Sequence, residues 1–236
     1  PKESAEMISQ LVFGEYGEIL EEQEAWLFVQ NAEDGYQGWV DKKMVKSVPQ
    51  AIFSKRPEPL FAISGGLSMD DGSFLPLPPG ARIPQSSESI FIVNNQGWKR
   101  DSSLVVLDIQ PFSQVVEVAK RFLNTPYLWG GRSGWGIDCS GYSQLVYRIC
   151  GKFLPRDSSK QALEGTDIEY GAHQLGDLAF FRKSNQERIS HVGIIGDNND
   201  IYHASGKVRL DFLAKNGILK LPTGNVTHIL VCIKRY

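Results

Sequence analysis

The chain has 236 residues, with 25 Lys and Arg against 27 Asp and Glu, a formal net charge of −2 at pH 7. Without a basic field or a dense Lys/Arg block, nucleic acid is not an expected partner. No apolar run approaches the roughly 20 residues that span a bilayer, and 42% apolar with 22% charged residues is the composition of a globular protein.

The length exceeds that of the commonest single domains and predicts more than one folding unit. Within residues 1–49, Gly17-Glu-Ile-Leu and Trp26-Leu-Phe-Val precede an Asp34-Gly35 turn and Gln37-Gly38-Trp39-Val40-Asp41, a meander of hairpins. The last pentapeptide recurs in outline as Gln96-Gly97-Trp98-Lys99-Arg100, closing a second stretch, residues 50–110. There Pro57, Pro59, Pro76, Pro78 and Pro79 mark loops or edges. Both stretches read as small all-β barrels.

After Pro111 the texture changes. Val115, Val116, Val118, Ala119, Phe122 and Leu123 recur at helical spacing before Pro126. Asp138-Cys-Ser-Gly-Tyr then leads into Tyr142, Leu145, Val146 and Ile149, a half-buried helix with Gly151 as its stop and Cys139 in its first turn. A short capped segment follows at Asp157-Ser158. Asp177-Leu-Ala-Phe-Phe, His191-Val-Gly-Ile-Ile, Ile201-Tyr-His-Ala and His228-Ile-Leu-Val-Cys-Ile read as strands. Residues 111–236 are therefore predicted to be an α+β domain.

The three cysteines, Cys139, Cys150 and Cys232, are odd in number and lack CxxC spacing, so no zinc site is indicated. On one helix Cys139 and Cys150 would stand roughly 16 Å apart, too far for a disulfide. A thiol attacks as thiolate, and the unpaired N–H groups and positive dipole end of a helix start favour that form. Asp138 is a good N-cap, the neighbours Ser140 and Gly141 are small, and the local N–H groups suit an oxyanion. The alternative is a small buried apolar cysteine, as most free cysteines are.

The four histidines are His173, His191, His203 and His228. If Ile195 pairs with Ile201 across the Gly196–Asp200 loop, His203 faces Gly193. His191 then lies two positions along on the same face, roughly 7–8 Å away on the diagonal. One imidazole can orient the other, and the strand glycine leaves room for a ring. A cysteine on a helix start, a base on a strand and a third group fixing the base's tautomer are the parts of nucleophilic acyl transfer. His173 and His228 are given no role and read as surface or structural residues. The chain starts at Pro1 without Met or a charged-then-apolar leader, as a mature or trimmed form would.

Six segments in series, Thr125-Pro-Tyr-Leu-Trp-Gly-Gly131, Asp138-Cys-Ser-Gly-Tyr142, Arg156-Asp-Ser158, Gly176-Asp-Leu178, His191-Val-Gly-Ile194 and Tyr202-His-Ala-Ser205, resemble the NlpC-type cysteine peptidases, bacterial enzymes that cut cell-wall peptides. The resemblance implies a reduced papain-like α+β cysteine peptidase domain over residues 111–236, preceded by two SH3-like barrels. It implies Cys139 as nucleophile, His191 as base and His203 as orienting residue, with no metal or organic cofactor.

The whole chain is similar to the γ-D-glutamyl-L-diamino acid endopeptidases within that family, which act on murein fragments carrying a free N-terminal L-Ala. That similarity implies that Asp157, with Glu15 and Tyr36 of the first SH3-like domain, binds the free amine, and that Tyr127, Trp129 and Ser158 line the cleft. It also counts Asp138 and Ser140 among the substrate-binding residues. An ammonium leaving water needs an anionic partner, which gives the acidic groups a physical use. Local sequence alone leaves Glu15 a turn carboxylate, Tyr36 a packing residue, Asp157 an N-cap and Trp129 a core side chain. A monomer in the bacterial envelope, periplasmic or secreted, is expected, with the cytoplasm as the alternative.

Overall fold

A computed structural model describes residues 1–54, 58–84, 90–93 and 96–236. The chain divides into two compact units, Pro1–Ile109 and Gln110–Tyr236. In the first unit β1 (Gly17–Gln23), β2 (Trp26–Asn31) and β3 (Gln37–Asp41) form an antiparallel meander. Gly35 turns the chain between β2 and β3 at φ +67°. Phe28 and Trp39 pair across β2 and β3 with ring centroids 5.2 Å apart. The described strands make an open sheet here rather than the expected closed barrel, because β1 and β3 each pair only with β2.

Past α1 (Gln50–Ser54) come β4 (Pro59–Ser64), β5 (Gly66–Ser68), β6 (Phe74–Pro76), β7 (Arg82–Pro84), β8 (Ile90–Val93), β9 (Gln96–Arg100) and β10 (Val105–Leu107). They split into a three-stranded sheet, β10-β4-β7, and a four-stranded sheet, β6-β5-β9-β8. Pro59 opens β4 and Pro76 closes β6, where a missing N–H costs least, while Pro57 lies outside the described residues. Trp98 is buried with Leu60, Leu67, Leu77 and Ile83, and Val12 from the start of the chain joins the same core. The Arg82 N–H donates to Phe13 O at 2.8 Å, so the N-terminal segment packs on these strands.

The second unit opens with α2 (Val115–Lys120), which ends earlier than the apolar spacing to Leu123 predicts. The chain leaves in turns, with Asn124 in the left-handed region at φ +71°. A two-residue hairpin, β11 (Arg132–Ser133) and β12 (Gly136–Ile137), delivers the chain to α3 (Cys139–Ile149), and α4 (Ser158–Gln161) follows. Then come β13 (Thr166–Asp167), β14 (Leu178–Arg182), β15 (His191–Ile195), β16 (Asp200–Ser205), β17 (Lys207–Ala214), β18 (Gly217–Lys220) and β19 (Asn225–Arg235). Strands β13, β17 and β18 have no counterpart among the expected ones.

These seven strands lie in the order β13-β19-β14-β15-β16-β17-β18, all antiparallel, and β19 also pairs with β18. The sheet thus closes on itself. Ala179, Phe181, Ile195, Ile201, Leu213, Ile218 and Ile233 cluster on one face, and α3 packs against β15 and β16. Strand alternation puts His191 and Gly193 on the same face as Ile195.

The start of α3 is fixed by one buried carboxylate. Asp138 Oδ1 accepts from Gly141 N at 2.7 Å, the N-cap bond, and from Arg156 Nη1 at 3.1 Å and Ser140 Oγ at 3.3 Å. Its Oδ2 accepts from Gly130 N at 3.0 Å and Arg156 Nη2 at 2.5 Å. Glycine is required around this knot. A Cβ on Gly141 would stand 2.3 Å from Gly131 O, and one on Gly131 would stand 2.4 Å from Gly136 O.

This packing sets the stability of three variants. Asp138→Ala strips the α3 cap and leaves Arg156 buried without its anion, so urea unfolding should lose about 3–5 kcal/mol. Gly141→Ala forces backbone against backbone and should cost about 1–3 kcal/mol. Gly38→Ala, where the added methyl meets nothing within 4 Å, should stay within about 0.5 kcal/mol of the parent.

Candidate active site

Cys139 is the first residue of α3 and only 6% exposed. Its Sγ lies 3.9 Å from Ser190 O and takes a hydrogen bond from Val192 N–H, so the sulfur rests against the start of β15 on either side of His191. A helix N-terminus alone would favour the thiolate. Here burial and the Asp138 charge push the thiol up to about 12, against the pull of the Val192 and Ser140 N–H groups and the Arg156 charge. Burial and the Asp138 charge thus favour the thiol over the thiolate.

The strand register places the bases. Ile195 pairs with Ile201 and Gly193 with His203, the pairing assumed from sequence. His191 and His203 then meet on the diagonal, Nε2 of the first 2.8 Å from Nδ1 of the second, with the rings 87° apart. A Cβ on Gly193 would come within 3.1 Å of His203 Cβ and 2.8 Å of the Ile201 side chain, so this strand position has no room for a larger residue. One strand further, His203 pairs with Arg209 and Ile201 with Asp211, which repeats the same diagonal step. His203 Nε2 lies 3.0 Å from Asp211 Oδ2.

His191, His203 and Asp211 thus form one diagonal row across β15, β16 and β17, all nine-tenths or more buried. Asp211 is held in turn. Its Oδ1 accepts from Leu221 N at 2.8 Å and Arg209 Nη2 at 2.9 Å, and Arg209 Nε lies 2.7 Å from Oδ2. Burial pushes its carboxyl up, but the hydrogen bonds from His203, Leu221 N–H and Arg209 outweigh that and hold it below the usual carboxylate range. Burial drives the His191 imidazole well below its ordinary value, helped by His203, His228 and Lys183. Burial lowers His203 as well, although Asp211 pulls the other way. Burial thus favours the neutral form of both imidazoles, and the hydrogen bonds favour the charged form of the carboxylate.

His228, on β19, was expected at the surface or in a structural role, and it belongs to this cluster. Its ring stacks on His191 with centroids 4.3 Å apart and planes 21° apart, and burial first and His203 second lower it to about 4. It clamps one face of the His191 ring. His173 stays apart from the row, with Nε2 2.7 Å from Asn199 Oδ1.

Around the thiol, Tyr127 is half-buried, its N–H donating to Gly206 O at 3.0 Å. Burial, then the Cys139 and Asp138 charges, push its hydroxyl up to about 12. Ser140 Oγ is tied to Arg156 at 2.9 Å, and both Asp138 oxygens are committed internally. Asp138 therefore holds the start of α3 from behind the thiol. Trp129 is exposed at 58%, which removes the core alternative. Asp157 stands at the N-cap of α4 without accepting a cap bond, and its half-exposed carboxylate faces Lys160 at 3.8 Å. Ser158 is buried beside it.

Ser190 Oγ, next to the sulfur's backbone neighbour, is buried without a hydrogen-bond partner among the described residues. Glu15 and Tyr36 belong to the first unit. There Glu15 accepts from Val12 N at 3.0 Å and Asn31 Nδ2 at 3.2 Å, and Tyr36 N–H donates to Asp34 Oδ1 at 3.0 Å. Among the described residues no group of three or more His, Cys, Asp or Glu side chains is arranged to hold a metal ion. No described helix is long and apolar enough to cross a membrane.

A buried thiol, a neutral imidazole whose far nitrogen is engaged, and a helix start offering N–H groups can carry out acyl transfer. Residues 124–225 match the model of the NlpC/P60 family, and residues 1–44 match that of the bacterial dipeptidyl-peptidase Sh3 domain. A γ-D-glutamyl-L-lysine dipeptidyl-peptidase of Bacillus subtilis is 28% identical over 211 residues, covering 83% of this chain and 71% of that protein. The enzyme of the same name from Bacillus cereus is 28% identical over 204 residues, and the match covers 78% of this chain but only 61% of that one. A crystal structure of an NlpC/P60 family protein from Bacillus cereus superposes with a TM-score of 0.77 at 24% identity, over 97% of this chain and 81% of that one. The chain carries a papain-like cysteine peptidase domain of the NlpC/P60 family, matched over residues 124–225, behind an N-terminal SH3 domain matched over residues 1–44.

Proposed function

We propose that this chain hydrolyses the γ-D-glutamyl–L-diamino acid bond of murein peptides with a free N-terminal L-Ala, releasing L-Ala-γ-D-Glu. The observation that carries this reading is the buried His191–His203 hydrogen bond beside the strand start on which Cys139 Sγ rests. The names of the two Bacillus relatives support the substrate class.

In this reading Cys139 attacks the γ-glutamyl carbonyl, and His191 takes the thiol proton and hands it to the leaving amine. Water then releases the dipeptide from the thioester by the reverse route. The oxyanion lies at the N–H groups of the first α3 turn, ahead of the Tyr142 N→Asp138 O bond that starts the helix ladder. Because the resting pair is neutral, proton transfer accompanies attack as substrate fills the site. Tyr127, Trp129, Ser140 and Ser158 contact the substrate, and Ser190 Oγ gains its missing partner there. Asp157 binds the substrate ammonium with Glu15 and Tyr36. We further assign residues 1–49 and 50–110 to two SH3-like barrels, residues 111–236 to the catalytic domain, and the protein to the bacterial envelope as a monomer.

Cys139→Ala should lower kcat/KM on L-Ala-γ-D-Glu-L-Lys by on the order of 10⁴-fold or more, read by mass spectrometry of the released dipeptide. Wild-type turnover by that variant would end the assignment, and products cut at another bond would end the proposed specificity. N-acetylating the substrate should cost on the order of 10²-fold in kcat/KM, the loss expected for one charge pair. Asp157→Asn, Glu15→Gln and Tyr36→Phe should narrow that difference. Equal rates on both substrates would remove all three residues from amine recognition.

A further inference from the structure

The polar row does not stop at His203. Asp211 lies two strands from His191, is 2% exposed, and accepts from two donors on Oδ1, while His203 Nε2 stands against Oδ2 beside Arg209 Nε, which is close but makes no hydrogen bond. The division decides the protonation of everything upstream. Oδ1 faces Leu221 N–H, a donor that cannot turn, and Arg209 Nη2. Oδ2 faces His203 and Arg209 Nε.

A carboxylate only accepts, so the His203 hydrogen must sit on Nε2. A neutral His203 then has a bare Nδ1, which can only accept, so His191 places its own hydrogen on Nε2 to donate across the 2.8 Å contact. The bare nitrogen left on His191 is Nδ1. We propose that Asp211 is a positioning residue for the peptidase reaction, setting the tautomers of His203 and then His191 so that His191 Nδ1 is the atom that takes the Cys139 proton. This rests on the peptidase assignment above and adds a fourth side chain to Cys139, His191 and His203.

The balance of the step is simple. The S–H bond breaks, its proton forms a bond to His191 Nδ1, and the sulfur electron pair attacks the carbonyl. The Nε2 hydrogen of the resulting imidazolium stays on its nitrogen, bonded to His203, and the Asp211 charge offsets the new positive charge through that row. Asp211 neither gains nor loses a proton. The other charges facing the row are Lys183, toward His191 and His228, and Arg209, toward His203, and both oppose imidazolium formation. The stacked His228, neutral near pH 7, adds no charge. Asp211 is thus the one anion acting on the pair from within the row.

Asp211→Asn is an unusually direct test because its amide cannot orient freely. With the amide oxygen at the Oδ1 place, Leu221 N–H and Arg209 Nη2 keep their hydrogen-bond acceptor, and the NH₂ group falls at the Oδ2 place, facing His203 Nε2 and only the unbonded Arg209 Nε. The opposite orientation would set two donors against the NH₂ group. His203 should therefore move its hydrogen to Nδ1, and His191, now accepting at Nε2, should carry its hydrogen on Nδ1, where it cannot receive the thiol proton.

The experiment uses the full chain with ¹⁵N-labelled histidine. Four histidines make assignment by His→Gln variants practical. In wild type near neutral pH, His191 and His203 should both show the Nε2–H form. In Asp211→Asn both should show Nδ1–H, with kcat on the murein tripeptide reduced on the order of 10²–10⁴-fold and KM changed by no more than about threefold. Either of two results overturns the proposal: Nδ1–H on His191 in wild type, or a folded Asp211→Asn that keeps the wild-type tautomers or its kcat. A purely structural Asp211 would give the second result, a lower melting temperature with both tautomers in place. If the variant does not fold, the wild-type spectrum still decides. Failure of the peptidase assignment itself would appear separately, as turnover by Cys139→Ala.

Discussion

The catalytic unit depends on how the chain enters α3, and that entry is governed by the carboxylate of Asp138. Burying an ion pair is costly, and the attraction between Asp138 and Arg156 repays that cost only because the remaining lone pairs are filled as well. They are filled by the helix N-cap bond from Gly141 and by the Gly130 N–H. One side chain therefore ends the preceding loop, starts the helix and holds Arg156. The glycines at 131 and 141 are the steric counterpart, since backbone from two segments must pass within contact distance around the same carboxylate. The thiol inherits its position from this knot, being the next residue in the chain.

The same carboxylate opposes the chemistry it positions. Its charge acts on Cys139 in the direction of the neutral thiol, and burial acts the same way, while Arg156 and two N–H groups pull back. Across the site, burial keeps His191 and His203 uncharged. A thiolate–imidazolium pair prepared in advance would place two charges at positions that the fold buries. A neutral pair avoids that cost, and charge appears only when a polarised carbonyl and the helix N–H groups are there to receive it. The hydrogen-bonded row behind His191 matters more in such an enzyme than in one with a stable ion pair, because the imidazolium exists only during the reaction.

Much of this was legible in the sequence, and the limits have physical causes. The helix from Cys139, its Asp138 cap, and the pairing of Gly193 with His203 all come from local rules: periodicity, capping, and one hairpin loop with few possible registers. Those rules act over a handful of residues. Asp211 escaped because β17 breaks the usual alternation: Val208 and Leu213 are buried, yet the charged Asp211 is buried too and Leu210 faces out. A strand that turns a carboxylate inward does not look like a strand until its histidine partner is known. His228 escaped because β19 is brought beside β14 and β18 only by closure of the whole sheet. Closure of the first expected barrel is not seen among the described strands for a related reason, since hairpins can be read from turns but closure depends on distant edges.

Closure of the sheet also explains why the polar row can exist at all. In an open sheet, a diagonal of two imidazoles and a carboxylate would compete with water for each hydrogen bond, and the tautomers would exchange freely. Enclosed beside Phe181, Ile201 and Leu213, the imidazoles of the row are hydrogen-bonded to each other and to Asp211, so each fixes the next. The enclosure has a cost, for these positions would stabilise the fold more if they were apolar. Local consistency is therefore broken at β17, where function, not packing, accounts for the residue. The far end of the row closes on Arg209 and the Leu221 N–H, both outside the chemistry. A buried relay has to end on groups that keep its last carboxylate ionised, which is why strands β17 and β18 and the chain just after them belong to the active site as much as the strand that carries His191.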